Sequence, residues 1–172
     1  MNIFILHSDA RLAAQMLCDK HCSKMIVETA QMMAAGLIVH GVQPHEMPLT
    51  KGGTPYRGGY ANHPCTRWSY ESRSNFVWLA QHGYALCQEY TRRFGKVHAC
   101  QSPIEQMWGF DHRIPKGELT PFAQAMPDEF RDDDAVVAYR AYYHSKQFAK
   151  WEKGTPAPDW WNGVKANPSI TP

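Results

Sequence analysis

The sequence predicts a mainly α, compact single-domain helical fold with three long helices, a short N-terminal strand and long Gly/Pro-rich loops. Three observations carry that expectation. Apolar residues recur at helical spacing over residues 10–35, 62–94 and 133–151, and glycine and proline concentrate between those stretches. At 172 residues the chain holds enough material for one hydrophobic core and too little for two.

The elements follow in order. "NIFIL" has the β-branched and aromatic content of a short strand, and "HSD" supplies a helix start with Ser8 or Asp9 as N-cap. The first helix is expected from about Ala10 to Ala35, with Gly36 and Gly41 near its end. From Pro44 to Tyr60 the chain carries no period and reads as loop. Asn62 as N-cap and Pro64 in the first turn open a second helix, which runs to about Phe94 and is closed by Gly95. Four prolines break residues 99–131, leaving room for one short helix near Phe122–Met126. A third long helix is expected from about Asp133 to Trp151, with "DDD" at its positive end. The helical domain then covers residues 1–153, and residues 154–172 form a Pro-rich tail partly ordered by docking of Trp160 and Trp161.

A formal charge of +2 excludes a global positive field, so a nucleic-acid partner must be met by a local patch. "MNIFIL" lacks the basic and long apolar segments of a signal peptide or membrane span, which predicts a cytoplasmic protein, with no membrane partner. The odd count of five cysteines in that compartment reads as reduced thiols.

Winding the first helix at 100° per residue places Cys18, Cys22, Met25, Ile26, Thr29 and Met33 on one arc, and Lys20, Lys24, Glu28 and Gln31 on the opposite one. His21 lies at the border. Cys18, His21 and Cys22 have zinc-compatible spacing, but thiols in the middle of an apolar arc behave as small hydrophobes, so no metal is expected. Lys20 and Lys24, one turn apart, suit a phosphate, with Glu28 orienting them or acting on a proton; a solvated face with an ion pair is the plainer alternative.

On the second helix Glu71, Asn75, Trp78, His82, Leu86, Glu89 and Arg93 share an arc, with Trp68 beside them. Indoles interleaved with Asn, His and Glu suit a platform on which a base stacks while its edge is hydrogen-bonded. A helix buried on both sides with its polar groups satisfied has the same pattern. Lys96 and His98 follow the C-terminal end of that helix, where cations are favoured in any case. The third helix carries Tyr139, Arg140, Tyr142, Tyr143, His144, Lys146 and Lys150, a stretch that fits nucleic acid or a core seam equally well.

"LAAQML" (12–17), "GYANHP" (59–64), "EYTRRFGK" (89–96), "MPDEFRDD" (126–133) and "PDWW" (158–161) resemble the pyrimidine-dimer DNA glycosylases, the endonuclease V type of T-even phages. "CDKH", "NHPCT" and "LTPFAQAMP" are similar to motifs of small uncharacterised phage-encoded proteins, which implies the host cytoplasm as compartment. The glycosylase resemblance implies base release through a Schiff base between the amino-terminal amine and the sugar, helped by a first-helix glutamate, with arginines gripping a kinked duplex. Counted without gaps, the glutamate's place falls on Ser23 and the neighbouring arginine's on Cys22. Glu28 lies five residues on, about 140° around the helix, and is not expected to stand in for that glutamate. Asn2 is large for removal of the initiator Met, which leaves the amine on Met1.

These readings predict a cleft between the first and second helices. Lys20, His21, Lys24 and Lys96 are its phosphate-binding candidates, and Trp68, Asn75, Trp78 and His63 its base-binding candidates. Glu28, Glu71 and His82 are the candidates for catalysis, with no cofactor. The expected partner is DNA or a nucleotide, and the expected activity is base processing, glycosylase-like or base-modifying. The alternatives are a non-catalytic nucleotide binder that sequesters a host signalling nucleotide, and a partner-binding protein whose polar faces are merely wet.

Overall fold

The computed structural model describes residues 1–165, so residues 166–172 of the expected tail lie outside the described residues. It contains six helices: α1 (Ala10–Met16), α2 (Asp19–Val39), α3 (Pro64–Glu71), α4 (Arg73–Phe94), α5 (Gln101–Trp108) and α6 (Ala135–Tyr143). The helical class is as expected; its partition differs, for identifiable reasons.

The expected first helix is two. Leu17 and Cys18 are extended (ψ 140° and 163°), and the side chain of Arg93 fills the interruption. Its Nη1 donates to Leu17 O at 2.8 Å and its Nη2 to Gln15 O at 3.0 Å, satisfying carbonyls that a helix end leaves open. Cys18 N–H donates to the hydroxyl of Tyr143 at 3.0 Å. The expected second helix is also divided, at Ser72. Ser72 Oγ accepts Asn75 N–H at 3.2 Å as the N-cap of α4 and donates to Glu118 O at 2.8 Å, while Pro115 O accepts Arg73 N–H at 2.8 Å. A strand-like crossing of residues 115–120 thus takes the groups that a continuous helix would have paired internally.

The N-terminal strand does not form. Ile3–Leu6 is buried, but its backbone is held by side chains rather than by a neighbouring strand. Asn2 Oδ1 accepts from Ile3 N at 2.8 Å and Phe4 N at 3.2 Å, and Arg140 Nε donates to Leu6 O at 3.0 Å. Phe4 adopts φ 59°, a left-handed conformation incompatible with a strand. The short helix expected at Phe122–Met126 is irregular chain, and a helix forms instead at α5, where Pro103 falls in the first turn and costs no hydrogen bond. The third helix is long only in expectation. α6 stops at Tyr143, because the chain must bend for Lys150 O to accept Asp19 N–H at 2.9 Å and for Glu152 N–H to reach Asp19 Oδ2 at 2.6 Å.

α2 and α4 form the centre and run in opposite directions, Asp19 meeting Arg93, Cys22 meeting Leu86 and Thr29 meeting Gly83. Gly83 permits this approach, since a Cβ there would lie 2.5 Å from Thr29 Cγ2. The 44–60 loop is packed on α2 through Gly58 (φ 69°), where a Cβ would lie 2.4 Å from Ala35 N. α2 is long and apolar enough to cross a membrane, yet 67% of its apolar window is buried within the molecule, as befits a core helix. Trp160 and Trp161 pack against Tyr143 and His144, the ring of Trp161 stacking on His144 at 4.8 Å.

Candidate active site

The charged edge of α2 meets the start of the chain. Glu28 Oε2 accepts Asn2 N–H at 2.7 Å and lies 3.7 Å from the amine of Met1, while Oε1 lies 3.5 Å from Lys24 Nζ. The Glu28 side chain is 12% exposed and that of Met1 only 2%, although Met1 as a residue is half-buried. The open edge of Met1 is therefore its main chain, where the amine lies. Asn2 fixes this end of the chain: besides capping Ile3 and Phe4, its Nδ2 donates to Ala125 O at 2.8 Å.

Two further side chains border the amine. His63 caps α3, its Nδ1 accepting Cys65 N–H at 3.2 Å, so the neutral ring carries its proton on Nε2. Burial, and then the charge of the amine, hold His63 below its ordinary pKa, with Glu28 pulling the other way. Cys65 Sγ lies 3.9 Å from Asn2 Oδ1, and burial pushes its thiol up to about 11, so it is inert as a nucleophile at neutral pH. A depression of about 450 Å³ is lined by Pro64, Gln124, Arg131, Asp132 and Asp133. Pro64 and Gln124 are the chain neighbours of His63 and of Ala125, whose carbonyl accepts from Asn2 Nδ2.

Glu28, which the ungapped count passes over, is the carboxylate that meets Met1 and Asn2. An N-terminal segment, a separate α1 and an extended interruption precede α2, so distance along the chain from Met1 carries no helical phase.

The arc of α4 read as a base platform is sealed inside the protein. Asn75 Nδ2 donates to Trp68 O at 2.7 Å and to Thr120 Oγ1 at 2.8 Å. Trp68 Nε1 donates to Thr120 O at 3.3 Å, and Trp78 Nε1 to Ser8 O at 2.8 Å. His82 stacks on Trp78 at 5.2 Å and makes a 3.0 Å hydrogen bond to Ala10 O; burial lowers its pKa to about 4. Trp68, Asn75, Trp78 and His82 are all buried, with Trp78 at the edge of a surface depression. The sealed arc ends in an ion cluster. Arg93 Nε lies 2.9 Å from Glu89 Oε2 and Nη1 3.1 Å from Asp19 Oδ1. Burial raises the Glu89 carboxyl, but hydrogen bonds from Arg92 and Arg93 outweigh it and hold the group below the usual range.

The remaining candidates are scattered. Glu71 is exposed at the end of α3 and Lys96 beyond the end of α4. Lys20 and Lys24 are exposed on α2, whereas His21 is buried between them. The surface depression that Trp78 borders, with Arg73, Val77 and Leu119, includes none of these lysines, so the predicted cleft between cationic and indole faces does not form. The largest cavity, about 750 Å³, lies elsewhere, between α1 and the tail, and includes His7, Arg92, Arg140 and Trp160. Among the described residues no three His, Cys, Asp or Glu side chains are grouped to hold a metal ion. Met1 and Asn2 were not among the candidate site residues; the signals for them are the glycosylase resemblance, which invokes the amino-terminal amine, and Asn2, an amide able to cap its own neighbours.

A family profile described as pyrimidine dimer DNA glycosylase matches residues 1–101, which covers α1–α4 and the whole amine and Glu28 group. No curated protein and no solved structure gives a match.

Proposed function

Because the chain belongs to the pyrimidine dimer DNA glycosylase family, we propose that it releases a base from DNA, with the Met1 amine as nucleophile and Glu28 as the proton-handling residue. The observation that carries this reading is the 3.7 Å separation of Glu28 Oε2 from the amine. An ammonium is no nucleophile, and a carboxylate in ion-pair range accepts its proton once the two close to hydrogen-bond distance. The free amine then attacks C1′ of the sugar. The new N–C1′ bond forms as the bond from C1′ to the base breaks, the base leaving with the electron pair. The departing base takes up the proton Glu28 has accepted; the regenerated carboxylate then takes the second amine proton and passes it to O4′ as the C1′–O4′ bond opens, giving a protonated Schiff base.

The surroundings of the amine support the assignment. The 2.7 Å bond from Asn2 N–H orients the Glu28 carboxylate, so its position does not depend on substrate. Lys24 at 3.5 Å adds positive charge where a negatively charged backbone approaches. Of the base-binding candidates, His63 borders the amine, and its Nε2–H is a donor for a base edge or a leaving group. The depression lined by Pro64 and Gln124, next in the chain to His63 and Ala125, is the space we assign to the reacting nucleotide. The compartment is that of the DNA substrate, the bacterial or host cytoplasm.

Borohydride treatment of the full chain with duplex DNA carrying an abasic site should trap a covalent adduct. Glu28→Gln should slow adduct formation by roughly a hundredfold or more, the usual contribution of a positioned acid or base. Adding one residue ahead of Met1 should abolish it. A folded wild-type chain that forms no adduct removes this assignment. A binder of free nucleotides is the weaker reading, because the indoles it requires are buried; a saturating nucleotide at about 100 Kd would then stabilise the fold by roughly 2.7 kcal/mol in a thermal-shift series.

A further inference from the structure

A second cationic group lies along α2 from Glu28, built from three separate parts of the chain. The ring of Phe4 stacks on His21, centroids 4.4 Å apart and 21° between planes, and on Tyr142 at 6.1 Å. Phe148 meets the same His21 edge-on at 5.0 Å. Three lysines rim this aromatic floor. Lys20 Nζ lies 4.5 Å over the Phe148 ring, and Lys146 Nζ lies 3.5 Å over Tyr142 and 5.5 Å over Phe4. Lys24 follows Lys20 by one turn and reaches back to Glu28 at 3.5 Å.

The floor is rigid. His21 Nδ1 lies 2.8 Å from the hydroxyl of the fully buried Tyr143, which also receives Cys18 N–H. Phe4 is fixed in its left-handed conformation by the Asn2 amide. Burial, with the charges of Lys146, Lys24 and Lys20 adding to it, lowers the pKa of His21 to about 3, so its ring adds no positive charge to the group at neutral pH. An ammonium resting on a ring face has already surrendered much of the rotamer freedom a surface lysine loses when it captures an anion. Ammoniums are point charges that take a phosphate without requiring one orientation, which suits a backbone and not a base.

We propose that Lys20 and Lys146, seated on the Phe4, Tyr142 and Phe148 rings, clamp a phosphodiester of the DNA strand next to the nucleotide at the amine, with Lys24 bridging clamp and reaction centre. The clamp rests on the DNA-processing reading above; Phe4, Lys20 and Lys24 lie within the region matched by the family, and Tyr142, Lys146 and Phe148 beyond it.

Equilibrium binding of the full chain to an undamaged duplex, followed by fluorescence anisotropy from 50 to 200 mM NaCl, tests it. Lys20→Ala and Lys146→Ala should each make the plot of log K against log salt shallower by about 0.9, the value of one phosphate contact, and weaken binding roughly tenfold at low salt. Lys20→Arg keeps the charge and should keep the slope. Glu28→Gln should lose the borohydride adduct and keep the slope, which separates the clamp from the chemistry. If both alanine variants melt like the wild type and retain its slope and affinity, the clamp is overturned while the adduct result stands. A wild-type chain that binds no DNA overturns the clamp and the reading beneath it together.

Discussion

On α2 Lys20 and Lys24 are exposed and Glu28 meets the amine of Met1, whereas on α4 Arg93 is buried and spends every polar atom on other protein groups, Glu89 among them. Both sets looked alike in sequence, as charges on one arc of a long amphipathic helix. The difference lies in what each set faces. Arg93 faces the broken junction of α1 and α2, where open carbonyls require a donor, so its charge is consumed by architecture. Glu28 faces a chain end that carries both an N–H and a mobile proton, so its second lone pairs remain available for chemistry. Polar residues on a helix thus separate into those that close backbone gaps and those that border an edge, and only the second kind is available to a substrate.

The sharpest way to break that comparison is to remove Arg93. Arg93→Met takes the guanidinium from Asp19 and from Glu89, which keeps Arg92, and opens the Gln15 and Leu17 carbonyls; it should cost about 3–5 kcal/mol in urea unfolding. A loss below 1 kcal/mol would mean that the α4 cluster is not structural. Closing the approach of the two helices comes next. Gly83→Ala sets a methyl 2.5 Å from Thr29 Cγ2 and should destabilise by about 1–3 kcal/mol, measured by the same unfolding curves.

Acid titration sharpens the contrast more gently. His21 and His82 stay neutral in the fold to about 3 and about 4, but take up protons near 6.5 once unfolded. The unfolded state therefore binds more protons below pH 6.5, and the stability these residues contribute is full above that value and lost progressively as pH falls toward 4 and then 3. His21→Gln should reduce the pH dependence of the urea midpoint between pH 6.5 and 4.5 by roughly one proton. The smallest effect is expected at Glu71, exposed and remote from the amine: Glu71→Gln should leave adduct formation unchanged and stability within about 0.5 kcal/mol. A strong loss of activity there would move the reaction centre.

Where local chemistry decides, the sequence was readable. Asp9 caps α1 and Gly95 (φ 69°) closes α4, as their residue types dictate. The apolar arc of Cys18, Cys22, Met25, Ile26, Thr29 and Met33 is buried throughout. What was not readable depends on partners far along the chain. Both helix interruptions are made by groups that arrive from elsewhere, Arg93 at Leu17 and residues 115–118 at Ser72, and no periodicity in residues 10–35 or 62–94 announces them. Glu28 was recognisable as a carboxylate beside lysines. Its meeting with Met1 and Asn2, 26 residues away from the latter, was not.

The interruption at Leu17–Cys18 also decouples the two segments it joins. In one unbroken rod, each residue gained or lost near the start would swing everything downstream by 100° and carry the carboxylate off its target. With the winding restarted at Asp19, the bearing of Glu28 toward Met1 is set within α2, and a change in the length of α1 need not turn it.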